Sequence, residues 1–333
     1  MTLGKIGLAA SLVAALACPA AADPAALKFS TTMPAIDPVV KDGVLPMLAA
    51  VEKESGGTLS FQSFTGGQLT PNPTKQYDAM ASGLDDITII VASYVPQIFP
   101  DSSLFALPDV VHSAGEAAFG GWKMYEAGLL RGTEQIKPLA VFSNDPGSIF
   151  TARHVKSLND LKGLKIRVSG PAEAQIVTAL GAAPVGMSAT EVAEALSRGI
   201  YDGTLNGWAV NRAYRATPLI KSAFDLSLGV RQFFLAMNKS VYDRLPPEAR
   251  GAIDRHGGAA LSLKLAQLLE KEGQEDRAQA KEKGTLVAIS AAERTRLETI
   301  YRPLVEKWVA DTPDGARKLA FLEAAVAEYR KSN

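Results

Sequence analysis

Apolar and polar positions alternate in short runs through the first two thirds of the chain and recur at helical spacing through the last third. Leu27 to Thr32 reads as a strand, followed by turn prolines at Pro34 and Pro38 and an amphipathic helix, Val39 to Ser55, that Gly56-Gly57 closes. Thr58 to Phe64 predicts a second strand, and Thr74 to Ser82 a helix ended by Gly83. Ile87 to Ala92 is apolar at nearly every position and β-branched, which suits a central strand buried on both faces. This βαβαβ order opens a parallel sheet. A helix over Ser113 to Leu130 and a strand from Pro138 to Phe142 complete a first lobe, and the turn Asn144-Asp145-Pro146-Gly147 fits a hinge.

The centre of the pattern is Ser157 to Trp208. Between Leu164 and Val168, Ile166 and Val168 share one face of a strand while Lys165 and Arg167 share the other. Ser188 and Glu191 form a capping box before Val192, Ala195 and Leu196, and Gly199 closes that helix. The unit alternates strand and helix, so a parallel α/β sheet is predicted, with its loops at the carboxyl ends of the strands placed for a ligand. Val230 to Met237 predicts one more strand. Beyond Pro246 the pattern is helical: Glu248 to Lys283, then Ala291 to Val309 after the capping box Ser290/Glu293 and with Pro303 as a kink, then about Asp314 to Arg330.

Composition changes the picture at the amino terminus. Lys5, the apolar run Ile6 to Ala17 and the small residues Ala20-Ala21-Ala22 predict a secretory signal peptide, Met1 to Ala22, leaving 311 of 333 residues for a periplasmic chain. Cys18, the sole cysteine, falls inside it, so no disulfide is expected. Lys plus Arg and Asp plus Glu are 35 each, without a basic block, which argues against a nucleic-acid partner and leaves anion recognition to a local site.

Enzyme chemistry finds little support. Gly186-Met-Ser188-Ala-Thr190 lacks the final glycine of a nucleophile elbow, and Ser188 is more simply a helix cap. His112, His154 and His256 have no metal-ligand spacing, no phosphate-binding glycine motif occurs, and Asp85-Asp86 before the central strand are expected to be solvated. Neither a cofactor nor a metal is expected.

The run Asp160-Leu-Lys-Gly163-Leu-Lys-Ile-Arg167-Val, with Leu180-Gly-Ala, Met187-Ser, Glu191-Val and Gly199-Ile-Tyr-Asp202-Gly203, resembles the substrate-binding proteins of tripartite ATP-independent periplasmic (TRAP) transporters, the DctP-like family. The match is ordered over about fifty residues. Weaker similarity extends through Leu27-Lys28-Phe29, Gly66-Gly67-Gln68-Leu69, Phe105-Ala-Leu107-Pro108 and Met237-Asn238-Lys239.

The resemblance implies a periplasmic binding protein fold: two α/β lobes around a ligand cleft, joined by a hinge and long C-terminal helices. Lobe I would take residues 23–146 with a return segment at about 236–270, and lobe II residues 147–235 with helices at about 271–333. Arg167 would bind a substrate carboxylate with its two-pronged guanidinium. Asn206, Trp208, Tyr94, Asn72 and Thr32 fall at pocket positions of the family. The slot twenty residues before Arg167, where some relatives carry a second arginine, is Gly147. A single arginine favours a monocarboxylate, such as a hydroxy, keto or aromatic acid, over a C4 dicarboxylate. The implied partners are this small organic acid and membrane permease subunits. A monomer is expected, with a dimer through the long helix left open. The rival readings are a receptor that serves a sensor and a secreted hydrolase or lyase.

Overall fold

The computed structural model describes residues 25–332, so the expected leader and Cys18 lie outside the described residues. The strands are β1 (Ala25–Ser30), β2 (Leu59–Phe64), β3 (Ile87–Val91), β4 (Ile136–Ser143), β5 (Ser148–Thr151), β6 (Lys165–Val168), β7 (Ala183–Gly186), β8 (Gly203–Asn206), β9 (Ser222–Phe224), β10 (Gln232–Asn238) and β11 (Leu286–Val287). They form two sheets, ordered β2-β1-β3-β10-β4 and β11-β9-β5-β8-β6-β7. Both sheets are mixed instead of parallel throughout: β10 runs antiparallel between β3 and β4, and β5 runs antiparallel to β8 and β9.

Alternation sets the cores of the first sheet. Ile87 and Ile89 of β3, with Phe233 and Leu235 of β10, face one apolar layer, while Ile90 and Phe234 face the other. The continuous apolar run therefore sits between two helical layers, as a doubly buried strand requires.

The helices are α1 (Leu45–Glu54), α2 (Gln76–Ala81), α3 (Ala114–Glu126), α4 (Pro171–Ala179), α5 (Val192–Ser197), α6 (Trp208–Ala213), α7 (Lys239–Arg244), α8 (Pro247–His256), α9 (Ala259–Glu282), α10 (Ala291–Asp311) and α11 (Gly315–Ser332). Two expected helices are interrupted. Residues Val39–Val44 form a wider turn before α1, because Pro46 has no N–H to continue the ladder. The helix expected from Glu248 to Lys283 breaks between α8 and α9 at Gly257-Gly258, where Gly258 takes φ +87° and its N–H bonds the Leu139 carbonyl at 2.7 Å.

The resemblance places residues 271–333 with the second lobe, and the structure divides them. Leu297 and Tyr301 of α10 join the second sheet's core, whereas Leu322 and Val326 of α11 lie in a core of the first. Lys318 of α11 also reaches the fully buried Asp101 at 2.7 Å. Burial area and a charge partner are available there for α11.

The chain crosses between the sheets at Asn144–Gly147, at Leu228–Arg231 and again through α9 on the way to β11, and the first two crossings are hydrogen bonded to each other. Gly147 N–H donates to the Gly229 carbonyl at 2.7 Å, and Leu228 N–H to the Gly147 carbonyl at 2.7 Å. A side chain at Gly229 would meet the Ala106 backbone at 2.6 Å with φ at +73°, so glycine is needed for that close approach.

Candidate functional site

On β6 the predicted alternation holds: Ile166 and Val168 enter the second core and Arg167 leaves by the opposite face. There the guanidinium lies between the Met187 carbonyl and Tyr94 of the first lobe, and Arg167 is fully buried. Its Nε donates to the Met187 carbonyl at 2.7 Å, Nη2 donates to the Tyr94 hydroxyl at 3.1 Å, and Nη1 has no partner. Among the described residues no carboxylate forms an ion pair with it. Burying a cation without a counter-charge costs several kcal/mol, and here only a carbonyl and a hydroxyl offset that cost.

Tyr94 ends the short turn Ala92–Tyr94 after β3, the loop position where an open α/β sheet builds its site. Its hydroxyl also accepts from the Ala189 N–H at 2.9 Å, and Ser93 Oγ stands 3.2 Å from Ser169 Oγ. These contacts close the two lobes on a cavity of about 40 Å³. A single water needs roughly 10–15 Å³, so the closed form retains more than one water's space.

The cavity's polar wall is Thr32, Asp37, Tyr94, Tyr214, Arg231 and Glu272, and its apolar wall includes Ile89, Val91, Val210, Phe233 and Leu269. Arg231 lies just before β10 and is buried; its Nη2 donates to Asn206 Oδ1, and its Nε is 3.3 Å from Glu173 Oε1. It is thus a neutralised cation, unlike Arg167. Burial raises the Asp37 carboxyl to about 6 and pushes the Tyr214 phenol up, the latter sharing a hydrogen bond with Thr32. Among the described residues no group of three or more His, Cys, Asp or Glu could hold a metal ion, and no helix is long and apolar enough to cross a membrane.

The sequence profile of the bacterial extracellular solute-binding proteins, family 7 (DctP), matches residues 29–312. The chain belongs to that family. This family 7 protein is similar to the C4-dicarboxylate-binding periplasmic protein DctP of Rhodobacter capsulatus, at 27% identity over 98% of each chain. Its fold matches a TRAP solute-binding protein from Rhodoferax ferrireducens in complex with copurified benzoate, at TM-score 0.85 and 28% identity over 92% of this chain and 99% of that one. A marine-metagenome TRAP protein specific for aromatic acids, crystallised with 3-hydroxybenzoate, matches with the same TM-score, identity and coverage. As a member of family 7 it is a TRAP solute-binding receptor, not an enzyme.

In the family 7 receptor the six expected site residues are not all neighbours. Thr32 and Tyr94 line the cavity, and Arg167 lies behind Tyr94 and is absent from the cavity wall. Asn206 is bonded to the wall residue Arg231. Asn72 is exposed and caps the turn Pro73–Lys75, its Oδ1 accepting from Thr74 N at 2.9 Å, while Pro73 lines the cavity. Trp208 packs edge-to-face on Phe150, with ring centroids 4.7 Å apart, and lines a different cavity. Asp85, expected in solvent, is fully buried, accepts from Ser30 Oγ and is raised to about 6 by burial.

Sequence reasoning missed Arg231, Glu173, Asp37 and Tyr214. A signal for Arg231 existed: like Arg167, it interrupts an apolar strand pattern, between Val230 and Phe233. Asp37 and Tyr214 sit in loops or helix ends with no such contrast.

Proposed function

We propose that this receptor captures a monocarboxylate with an apolar body, an aromatic or hydroxy acid by preference, and delivers it to membrane permease subunits. The observation that carries the reading is Arg167: fully buried, unpaired, with Nη1 lacking any partner. When the lobes part, Arg167 Nη2 and the Ala189 N–H lose the Tyr94 hydroxyl as acceptor and become a pair of donors facing the cleft. A carboxylate would then take that oxygen's place in a charge-assisted pair. Closure would then bring Tyr94 and the first-lobe wall onto the bound acid, and those contacts, made only in the closed state, would favour it. Ile89, Val91, Phe233 and Leu269 suit a flat apolar body, and the Thr32, Tyr214 and Asp37 side suits a hydroxyl. The aromatic-acid ligands of the two solved relatives support the same class.

The C4-dicarboxylate reading has the Rhodobacter capsulatus relative and the position of Arg231 in its favour. Against it, Glu173 already balances Arg231, so a second ligand carboxylate would find no free cation. Removal of Met1 to Ala22 would place the receptor in the periplasm, where it would act as a monomer.

The test is thermal unfolding of ligand-stripped protein with benzoate, 3-hydroxybenzoate, mandelate and succinate, on wild type and Arg167→Ala. Ligand at a hundred times its dissociation constant adds about 2.7 kcal/mol. The expected result is a shift with the aromatic acids that disappears in the variant. No shift with any acid, or an equal shift in the variant, would overturn the arginine-centred reading.

A further inference from the structure

Behind Trp208, between α6, the segment leading to β9 and the C-terminal half of α9, lies a second cavity of about 320 Å³. It is larger than the space left in the closed cleft. Phe150, Trp208, Ala223 and Ala280 supply apolar walls, and Asn211 and Asp276 supply polar ones. Asn211 and Asp276 are 2% and 7% exposed, and each carries an atom with no hydrogen-bond partner, Nδ2 of the first and Oδ2 of the second.

The orientation of Asn211 is forced from the cleft. A guanidinium only donates, so Arg231 Nη2 must meet the oxygen of Asn206. That leaves Asn206 Nδ2 to donate to Asn211 Oδ1, at 3.2 Å, and puts the Asn211 Nδ2 donor at the end of the chain. Asp276 Oδ2 stands 3.4 Å from Arg212 Nε without a hydrogen bond, and Arg212 also faces Glu272 at 2.6 Å and Glu275 at 3.8 Å. One buried donor and one buried acceptor are therefore left open beside an aromatic wall. Each is costly unless met.

The geometry points to a second small-molecule site, for a neutral planar molecule that carries an acceptor beside a donor; primary carboxamides on an aromatic ring are the class. The amide oxygen takes the Asn211 N–H and the amide N–H meets Asp276, with the ring against Phe150 and Trp208. A carboxylate is selected against, since it has no donor for Asp276. The site does not depend on which acid fills the cleft. The relay from Arg231 through Asn206 to Asn211 links the two cavities, and linkage requires any coupling to be reciprocal.

The experiment titrates the full receptor with benzamide, reading Trp fluorescence and ligand-observed NMR, for wild type, Ala280→Leu and Asn211→Asp. Ala280→Leu fills the cavity, while the near-isosteric Asn211→Asp replaces the donor and guards against a folding failure of the first. Saturable binding that weakens at least about tenfold in both variants is expected, the loss corresponding to one buried hydrogen bond or more. Absence of saturation in wild type, or equal binding in all three proteins, would overturn it. Benzoate, titrated in parallel, separates the two readings: its binding is expected to be unchanged in Ala280→Leu. Benzamide binding lost in the variants while benzoate never binds leaves this site standing and removes the aromatic-acid cleft; the reverse pattern removes this site alone.

Discussion

The Tyr94 hydroxyl accepts hydrogen bonds from Arg167 Nη2 at 3.1 Å and from the Ala189 N–H at 2.9 Å, so one oxygen from the first lobe occupies two donors of the second. Two donors converging on one oxygen is the arrangement that the proposed ligand carboxylate would take. Tyr94→Phe leaves both donors unmet in the closed form. The unliganded protein should lose about 1–3 kcal/mol in urea unfolding, and its radius of gyration in solution scattering should rise. An unchanged radius with unchanged stability would remove Tyr94 as a latch.

Arg167 separates binding from stability. Arg167→Met removes a buried, uncompensated charge and keeps most of the volume, while leaving the Met187 carbonyl without this donor and the Tyr94 hydroxyl with the Ala189 N–H alone. These effects oppose each other, so the unliganded stability should change by no more than about 1–3 kcal/mol. Stabilisation by benzoate should vanish. Calorimetric unfolding with and without the acid reads both at once, and a retained benzoate response would contradict the proposed role.

Glu173 sets the charge of the second arginine. Besides pairing with Arg231, it accepts from the Ser169 N–H at 2.6 Å. Glu173→Gln retains an acceptor for Ser169 but leaves Arg231 uncompensated. Succinate should then bind more tightly relative to benzoate than it does to wild type. Isothermal titration with both acids checks the ratio; an unchanged ratio means that Glu173 does not enforce monocarboxylate selection.

Asp145, at the first crossing, is buried, accepts from the Trp208 N–H at 2.6 Å and is pushed by burial to about 7. Asp37 and Asp85 are raised to about 6 for the same reason. A carboxyl with a raised folded-state pKa holds its proton more tightly in the native state than in the unfolded chain. Its contribution is therefore full below about pH 4 and declines as pH rises towards 7, at about 1.4 kcal/mol per pKa unit. Asp145→Asn keeps an acceptor for Trp208 and has no proton to lose. It should be more stable than wild type at pH 8, with the difference shrinking by pH 4.5. Urea unfolding across that range measures the slope, and parallel curves would mean that Asp145 does not titrate between the two states.

The legible parts of the fold were those set by local pattern. The apolar run Ile87–Val91 became a doubly buried strand, the capping boxes at Ser188 and Ser290 opened helices, and Arg167 took the face opposite Ile166 and Val168. The failures were non-local. Nothing near Gly257-Gly258 marks it as the meeting point with the Leu139 carbonyl, and α11 is amphipathic enough for either lobe until Asp101 and Phe105 are in place.

For the site, the sequence by itself determined that a β-strand would carry Arg167 on its non-core face and that Tyr94 would follow a central strand. These are consequences of period-two alternation and of strand order, which short stretches contain. Only the tertiary structure decided that Tyr94 of the other lobe reaches this face, that Glu173 neutralises Arg231 while no carboxylate among the described residues pairs with Arg167, and that Trp208 belongs to a second cavity. Charge compensation and cavity membership depend on which distant segments meet, and for these residues the contacts span from 25 to 95 positions of sequence.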